Sequence, residues 1–600
     1  MERLADHFGE EGEAADLTSA FFSQNAGKGV RLFELLSKRY DVVAANPPYM
    51  SMGNLNEIIR GYIRDHYLIS KNDLYSVFIT RCSELSKNQC QFAMVTQSSW
   101  MFLSSYEQFR YDAGKNNPEK GILNTKSFDL LVHLGAGAFD EIGGAVVNVS
   151  LMVIRNVPPT NLTKLTGIKL NEIVGANKKS QVLREVCRGI RQDLVYVKDQ
   201  FDFKYLDGAP IVYWWPDSMI QLFLDHPKFA DFAACKDGTG TRNNSRFIRF
   251  YWEVNNDLRW IKHQKGDGYN RWQGGNHFLI DLEYDAARIL STGKSRHQNT
   301  DYFFKTGCVW TKVGQLSISS RFIDGSTVFD DATPGCFPLD PKDAYVAVGL
   351  LNSLPYVWMV RGLSPSLNYS SGAISTLPWV DIPIGAPKCA IVLAKCLLKY
   401  EITSEVFDLS QILNQENLQI QAVLAFTESI IHNDVITALN LDPNTVKLIL
   451  NELNYPAGFY PILIGYDSFP PLKKDAISNI SSEIFDDLAE HERRVLSPDD
   501  LATLKANLRT LYEAGPGAKV EIEDDNTSGD GEEAVAGAYI PIPAETFLEE
   551  LSQKLQVHPI SIYWLLKEGI EEEGWRCIPE ERRITTDRFT VMILRMLGHR

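Results

Sequence analysis

A predicted strand that runs into two consecutive prolines restricts the fold of this chain more than any other feature. The segment Tyr40–Ala45 (YDVVAA) is apolar and contains β-branched residues, which is typical of a buried strand, and Asn46-Pro47-Pro48-Tyr49 follows it directly. Proline has no backbone N–H and a fixed φ, so it cannot continue the hydrogen-bond ladder inside a sheet. The tetrad is therefore expected at the carboxyl end of a strand, where open α/β sheets bind their ligands.

Residues 1–160 alternate between strand and helix patterns. The strand patterns are Tyr40–Ala45, Gln91–Thr96, Phe128–Leu134 and Val146–Ile154, and the helical patterns are Val30–Ser37, Asp73–Leu85 and Ser104–Tyr111. Strands separated by helices predict a parallel sheet with crossover helices, which is an α/β fold.

The tetrad suits the activation of the exocyclic amine of adenine. That nitrogen is a poor nucleophile because its lone pair is delocalised into the ring. The Asn46 side-chain oxygen and the Pro47 carbonyl can accept its two N–H bonds, and the prolines hold both acceptors in place. The ring of Tyr49 can stack on the base, which must first be flipped out of a duplex. The alternative is a sharp turn with Tyr49 packed beneath it.

The chain resembles the PglX-type adenine-specific DNA methyltransferases of BREX phage-defence systems. The resemblance rests on the tetrad, MSMGNLNE, KNDLYSVFITRCSEL, VTQSSWMFLSSYEQFR, HLGAGAFDEIGGAVVNVSLMVIR, GTGTRNNSRFIRFYWEV and HPISIYWLLKEGIEEEGWRCIPEERR. It implies that Asn46, Pro47 and Tyr49 contact a flipped adenine of double-stranded DNA and that S-adenosyl-L-methionine is the methyl donor. It also implies other defence proteins as partners. The same tetrad occurs in methylases of protein glutamine and of RNA, so a protein or RNA substrate remains open.

The donor-binding half of such an enzyme is not evident in the sequence. The resemblance implies a class-I, Rossmann-like sheet that holds the donor with a Gly-rich loop and an acidic residue placed well before the tetrad. Only 45 residues precede Asn46 here, too few for three strands and their helices. Gly27-Lys28-Gly29 follows no strand and is interpreted as a turn. We therefore expect a C-terminal part of a larger enzyme, with a partial methyltransferase sheet and no assigned cofactor-binding residues.

A basic and aromatic segment lies in the middle of the chain. Lys236–Gly275 contains eight Lys and Arg against four Asp and Glu, interleaved with Phe, Tyr and Trp. The candidate DNA contacts are Arg242, Asn243, Arg246, Arg249, Trp252, Lys262 and Arg271. Arg and Lys bind phosphate, and Arg also reads guanine edges in the major groove. The resemblance places a target-recognition domain here, and the alternative is a solvated basic face over an aromatic core. The polar loops Ser317–Arg321 and Asn368–Gly372 are equally compatible with DNA contacts and with simple loops.

The remaining regions are predicted from changes in composition. The catalytic part covers 1–160, a connector 161–235, a mixed α+β target-recognition domain 236–385, a helical region 386–515, an acidic flexible linker 516–540 and a C-terminal helical region 541–600. Residues 481–600 carry 25 acidic and 13 basic residues, so most of the overall net charge of −16 lies there. An acidic tail and a basic central patch can share one chain, with only the patch facing phosphate.

Several classes of protein are excluded by the sequence. No run of 18 apolar residues is present, and the first twenty residues are acidic, which argues against a membrane span and a secretory signal. The nine cysteines include no CxxC pair and the histidines are scattered, so no metal site is predicted and a reducing cytoplasm fits. Glu549–Gly569 has helix-turn-helix spacing, but acidic surroundings favour a plain helical pair.

These observations together predict an S-adenosyl-L-methionine-dependent, base-flipping adenine-N6 DNA methyltransferase that lacks its donor-binding motif. The alternative from another class is a non-catalytic DNA-binding or specificity subunit, which needs a partner to supply the donor site.

Overall fold

The computed structural model describes residues 28–111, 121–139, 147–254, 259–453 with short gaps, 497–514 and parts of 551–575. The gaps are 267–268, 284–285, 292, 294, 315–316, 365–367 and 405–414. The chain divides into two compact units, Met1–Asp225 with Leu363–Ser366 and His226–Gly362 with Leu367–Arg600. The expected division into six regions stays a prediction. The acidic linker 516–540 and most of the C-terminal region lie outside the described residues.

The first unit contains a six-stranded sheet. Its strands are β1 (Tyr40–Ala45), β2 (Ser86–Gln97), β3 (Ser127–Gly135), β4 (Val149–Arg155), β5 (Lys164–Lys169) and β6 (Val195–Asp199). Their order across the sheet is β1-β2-β4-β3-β5-β6. The pairs β1–β2 and β3–β5 are parallel, whereas β4 is antiparallel to both of its neighbours and β6 is antiparallel to β5. The sheet is therefore mixed, and the prediction of a parallel sheet is wrong.

The connections between strands explain the mixed sheet. The helical segments of this unit are α1 (residues 28–37), α2 (Glu57–His66), α3 (Leu74–Leu85), α4 (Glu107–Arg110), α5 (Ile122–Thr125), α6 (Ala176–Cys187) and α7 (Asp217–Asp225). Helices α2 and α3 form a crossover between β1 and β2, which makes that pair parallel. Residues 136–148, between β3 and β4, are Gly-rich and lack a helical apolar pattern, so these neighbouring strands pair antiparallel.

Strand β1 is an edge strand, although its sequence predicted a buried one. Its described neighbour is β2 alone, none of its six residues is buried, and Val42 is 69% exposed. The preceding helix α1 exposes the apolar side chains Leu32, Phe33, Leu35 and Leu36. The described part of this helix starts with Lys28 and Gly29, so the interpretation of a turn is wrong at these two residues. Gly27 lies outside the described residues.

The far side of the sheet packs against α6. The buried side chains of this contact are Val132, Ile168, Leu170, Val182 and Val186. On β5, a Cβ at Gly167 would lie only 2.1 Å from the ring of Tyr213. The hydroxyl of Tyr213 donates a 3.0 Å hydrogen bond to the Ile168 carbonyl. The close approach of this ring fixes the segment that follows β6 against the sheet.

The second unit contains two four-stranded sheets of short strands. The strands are β7 (Ala233–Lys236), β8 (Ile248–Phe250), β9 (Trp260–Gln264), β10 (Phe278–Asp281), β11 (Thr306–Trp310), β12 (Ser320–Asp324), β13 (Val328–Phe329) and β14 (Gly335–Pro338). One sheet has the order β13-β9-β10-β8 and the other has the order β12-β11-β14-β7. Short strands joined by long connections are what the frequent turn signals in this region predicted.

Three short helices lie before or between the strands of the second unit, and longer helices follow its two sheets along the chain. The helices after α7 are α8 (Phe229–Phe232), α9 (Asn244–Phe247), α10 (Ala287–Leu290), α11 (Asp343–Asn352), α12 (Leu354–Leu363), α13 (Ser371–Ser375), α14 (Gly385–Ser404), α15 (Gln415–Ala438), α16 (Pro443–Glu452) and α17 (Pro498–Ala514). In the described part of the chain no single helix is long and apolar enough to cross a bilayer. The pair α11 and α12 meets the length and composition criteria only when its two bent halves are taken together.

Candidate active site and nucleic-acid interface

The Asn-Pro-Pro-Tyr tetrad leaves the sheet at the carboxyl end of β1, as the sequence predicted. Asn46 and Pro48 are exposed, Pro47 is buried and Tyr49 is half-buried. Ala45 pairs with Met94 in the parallel register with β2. Continuing that register places Tyr49 at the level of Ser98, just beyond the end of β2. The tetrad therefore lies on the edge of the sheet that is formed by the carboxyl ends of β1, β2 and β3.

Asp73 ties the chain that follows the tetrad to the start of α3. One oxygen of its carboxylate accepts the backbone N–H of Met50 at 2.9 Å and that of Tyr75 at 3.2 Å. The Leu74 N–H also donates to the Met50 carbonyl at 2.9 Å. Asp73 is thus the N-cap of α3 and a clamp on the backbone next to Tyr49 at the same time. Burial raises the pKa of this carboxyl group.

Three tyrosines form a chain of contacts behind the tetrad. The ring of Tyr49 meets that of Tyr75 edge-on, with 5.9 Å between centroids and 83° between planes. The hydroxyl groups of Tyr75 and Tyr106 are 2.9 Å apart, and burial raises the pKa of Tyr106 to about 12. The buried Tyr49 hydroxyl has no hydrogen-bond partner among the described residues. These phenols stay neutral, and the half-buried ring of Tyr49 keeps one part free for contact.

A small recess opens on the same edge of the sheet, near the carboxyl ends of β2 and β3. It has a volume of about 210 Å³ and is lined by Ser98, Ser99, Phe102, Leu103, His133, Ala136, Asn148 and Asn171. The Ser98 N–H donates to the Asn148 carbonyl at 2.8 Å, so the ends of β2 and β4 meet in its wall. Pockets for drug-sized molecules usually measure roughly 300–1,000 Å³. This recess suits a single base or a few water molecules.

Two polar side chains of the recess each contain one buried atom without a hydrogen-bond partner among the described residues. The Nδ1 atom of His133 and the Oδ1 atom of Asn171 have no hydrogen-bond partner among the described residues. Burial, together with the positive charges of Lys169 and Lys179, lowers the pKa of His133 to about 4. Gly135 makes room for Asn171, because a Cβ at this positive-φ residue would lie 2.7 Å from the Asn171 Cα. The lining of the recess therefore includes a neutral imidazole and an amide group.

In the second unit, register places two of the predicted DNA contacts on one face. Arg249 on β8 and Lys262 on β9 both pair with Leu279 of β10, so all three side chains point to the same side of the sheet. Lys262 is exposed and Arg249 is half-buried. The Arg249 guanidinium lies 6.0 Å from the centroid of the Trp260 ring. This face combines cations with an aromatic ring.

The other predicted DNA contacts differ in their exposure to solvent and in their contacts within the chain. Arg246 is exposed, and Trp252 is 58% exposed with its ring stacked on Phe250 at 4.5 Å. The Asn243 side chain caps α9 by accepting the Arg246 N–H at 3.3 Å.

Two arginines among the predicted contacts are engaged within the second unit. Arg242 forms an ion pair with Asp331 beside a cleft of about 640 Å³. Arg271 forms an ion pair with Glu428 at 3.1 Å and donates to the Asn352 carbonyl at 2.8 Å. Contacts of these seven residues with DNA stay predictions.

Sequence reasoning missed the side chains that support the tetrad and line the recess. Asp73 carried a signal, since it is the polar residue that begins a helical pattern. His133 and Asn171 carried none, because strand register alone brings them together. No cluster of three His, Cys, Asp or Glu side chains in the described ranges could hold a metal ion. The described residues also include no Gly-rich loop that follows a strand and precedes β1.

Comparisons with known proteins agree with the resemblance that the sequence predicted. A family model described as "Eco57I restriction-modification methylase" matches residues 4–134. The "Adenine-specific methyltransferase PglX" of Lacticaseibacillus casei (strain Zhang) is 27% identical over 376 residues, which cover 58% of this chain and 30% of that protein. The "Adenine-specific methyltransferase BrxX" of Escherichia coli O9:H4 (strain HS) is 29% identical over 356 residues, which cover 57% and 28%. The chain thus spans less than a third of the curated relatives that it matches.

A solved structure shows a weaker likeness. The Type IIL restriction-modification enzyme MmeI in complex with DNA superposes with a TM-score of 0.42 and 12% sequence identity, over 69% of this chain and 56% of that chain. The chain is therefore similar to PglX and BrxX by sequence, and the resemblance to adenine-specific methyltransferases is confirmed.

Replacing Asp73 by alanine is expected to release the chain after the tetrad. The Asp73→Ala variant removes the acceptor of the Met50 and Tyr75 N–H groups, and loss of the helix cap costs about 1 kcal/mol. Hydrogen exchange measured by mass spectrometry should become faster at residues 49–52 and 72–76. Asp442→Ala removes the cap of α16 and serves as the control. Unchanged exchange at Met50 in Asp73→Ala would contradict the clamp.

The recess should make the first unit sensitive to acid. His133 has a folded-state pKa of about 4, below the value of roughly 6.5 for an unfolded chain. Its contribution to stability is complete above pH 6.5 and is lost as the pH falls towards 4. Between pH 6.5 and 5 the loss is about 2 kcal/mol, and His133→Gln should remove it. Urea unfolding at several pH values measures this, with exposed His66→Gln as the control. Equal pH slopes in the wild type and His133→Gln would refute the assignment.

Proposed function

We propose that the chain carries the adenine-binding part of an N6-adenine DNA methyltransferase of a phage-defence or modification system. The observation that carries this proposal is the exposed Asn46 beside the buried Pro47, at the carboxyl edge of a sheet, in a chain similar to adenine-specific methyltransferases. An amide oxygen and a fixed carbonyl at that position suit an exocyclic amine.

Asn46, Pro47 and Tyr49 each have a separate proposed contact with the flipped base. The Asn46 side-chain oxygen and the Pro47 carbonyl accept the two N–H bonds of the amine, which turns its lone pair towards an incoming methyl group. The free part of the Tyr49 ring stacks on the flipped base. The proton of the amine leaves after the methyl group is attached, so no strong base is required. S-adenosyl-L-methionine would supply an electrophilic methyl group here.

Among the described strands, β1 has one unpaired edge, which supports a separate donor-binding half. An apolar strand with exposed backbone edge and a 69% exposed Val42 is unusual at the margin of a finished sheet. The exposed Leu32, Phe33, Leu35 and Leu36 of α1 extend the same apolar surface. The proposed occupant is the donor-binding part of a methyltransferase sheet, on the same polypeptide or on a separate subunit. No residue of this chain is assigned to the donor.

The basic face of the second unit is the proposed DNA-binding surface. Arg249 and Lys262 share one side of their sheet, and the exposed Arg246 and Trp252 lie in adjoining segments of the chain. Cations bind phosphate, and an exposed aromatic ring can stack on a base or sugar. Arg242 and Arg271 form ion pairs with carboxylates, so we propose that they contribute less to DNA binding than Arg249 and Lys262.

A non-catalytic DNA-binding subunit is the second candidate function. The open edge of β1 favours it as well, because a partner subunit could supply the donor site there. This candidate keeps the DNA surface of the second unit and makes Asn46 dispensable for methylation. Association with other defence proteins and a cytoplasmic location remain predictions from the sequence.

Loss of the Asn46 side-chain oxygen should lower methylation. We expect Asn46→Ala, in cells that express the chain in its native gene context, to reduce N6-methyladenine in genomic DNA by on the order of 10²-fold, as for other lost stabilising groups in active sites. Nucleoside mass spectrometry measures the modified base. The nearby exposed Asn54→Ala should leave its amount unchanged. Methylation that persists in Asn46→Ala would favour the DNA-binding subunit, and transfer by the purified chain alone would contradict a separate donor half.

Removal of one cation from the basic face should weaken DNA binding in a salt-dependent way. Arg249→Ala and Lys262→Ala should each reduce the slope of log Kd against log salt concentration by about 1, since each contact releases roughly one counterion. Fluorescence anisotropy with labelled duplex DNA measures both affinity and slope. Arg509→Ala, on an exposed face of α17, is the matched control. If the salt-dependence slope is unchanged in both Arg249→Ala and Lys262→Ala, this face is not part of the DNA interface.

A further inference from the structure

Three cysteines lie side by side across three adjacent strands of the second unit. Cys336 on β14 is directly opposite Cys308 on β11 and also directly opposite Cys235 on β7. Directly opposed residues of antiparallel strands point to the same face, with Cα atoms roughly 4.5–5.5 Å apart. The three thiols therefore form one row, which we call the thiol row, with Cys336 at its centre.

The members of the thiol row differ in their access to solvent. Cys308 and Cys336 are buried, whereas Cys235 is partly exposed, and all three are free thiols. Because both residues are directly opposite Cys336, the thiols of Cys235 and Cys308 lie next to its thiol. A reagent from solvent can therefore reach the thiol row at Cys235. The thiol of Cys336 then lies next to the modified sulfur.

We propose that the thiol row is a thiol–disulfide exchange site that takes low-molecular-weight disulfides such as oxidised glutathione. The expected Cα separations of both opposed pairs fall within the roughly 4.4–6.8 Å that disulfides span. Cys336 can join either neighbour, so one internal disulfide forms at a time. This site is independent of the tetrad and of the proposed methyl transfer.

The exchange proceeds in two balanced steps. The Cys235 thiolate attacks one sulfur of the small disulfide, forms a mixed disulfide and expels the first thiolate of the reagent. The Cys336 thiolate then attacks the Cys235 sulfur and expels the second. The two protein thiols lose two electrons and two protons, and the reagent becomes two thiols. Attack by Cys308 on the Cys336 sulfur would move the bond inwards and free Cys235.

The protonation of Cys336 controls the rate at which the internal disulfide forms. Hydrogen bonding with Cys235 and Cys308, and burial, raise the pKa of Cys336 well above its usual range. Thiolate is the reactive form, so the second step is slow near neutral pH and becomes faster as the pH rises. The alternative role of the row is the plain packing of small apolar side chains.

Peptide mapping of the oxidised chain tests the thiol row. The reduced full chain is incubated with oxidised glutathione at pH 7 and pH 8.5, free thiols are blocked, and non-reduced peptides are analysed by mass spectrometry. We expect an internal disulfide that joins Cys336 to Cys235 or Cys308, formed several-fold faster at the higher pH. The Cys187→Ser control, which removes an exposed cysteine of the first unit, should form the same bond.

Three variants and the wild type decide the outcome. Cys336→Ala and Cys336→Ser should accumulate glutathione on Cys235 without any internal bond, and Cys235→Ser should slow the oxidation of Cys336 at least tenfold. The wild type alone can overturn the proposal, even if a variant does not fold. If Cys235 carries glutathione while Cys336 stays unoxidised after prolonged incubation, the proposal is wrong. The thiol row then serves only in the packing of the second unit.

Discussion

The double hydrogen bond accepted by the Asp73 carboxylate holds the candidate active site together. The same oxygen begins α3 through the Tyr75 N–H and fixes the backbone of Met50, next to the tetrad. It acts together with the Leu74 N–H bond to the Met50 carbonyl, because the two prolines supply no N–H groups for a ladder. The crossover helix that makes β1 and β2 parallel is thus also the element that positions the tetrad.

The edge on which the tetrad lies combines open and enclosed surfaces. Asn46 is exposed, while the recess on the same edge of the sheet contains a buried, uncharged His133, whose protonation is disfavoured by burial and by the charges of Lys169 and Lys179. A neutral imidazole and an amide oxygen can make directional hydrogen bonds to a base without attracting counterions. The proposed attraction for the phosphate backbone lies in another part of the chain, where Arg249 and Lys262 share one face.

The parts of the fold that depend on local sequence could be predicted, and those that depend on neighbours could not. The bounds of β1, the start of α3 at Asp73 and the strand-end position of Asn46 follow from propensity, capping and the chemistry of proline. The antiparallel insertion of β4 was missed because pairing depends on the whole sheet. Val42 was expected to be buried, yet its exposure depends on the neighbours of β1 rather than on its own sequence.

Register also explains the residues that sequence reasoning did not find. His133 and Asn171 line one recess, and Cys235, Cys308 and Cys336 form one row, because neighbouring strands bring distant positions together. No spacing in the chain signals either group. The cations and aromatic rings of Lys236–Gly275, by contrast, are close in sequence and visible in the composition, and their contacts with DNA stay a prediction. The ion pair between Arg271 and Glu428 is not visible in the composition, because its members come from distant segments.

The central claim is that Asn46, at the carboxyl end of β1, is open to a base, and thiol labelling tests it most directly. In an Asn46→Cys variant, the rate of alkylation at position 46 is compared by peptide mass spectrometry with those of exposed Cys187 and buried Cys82. The account predicts a rate within several-fold of that at Cys187. A rate as slow as that at Cys82 would contradict it, because the tetrad would then be closed to any nucleobase.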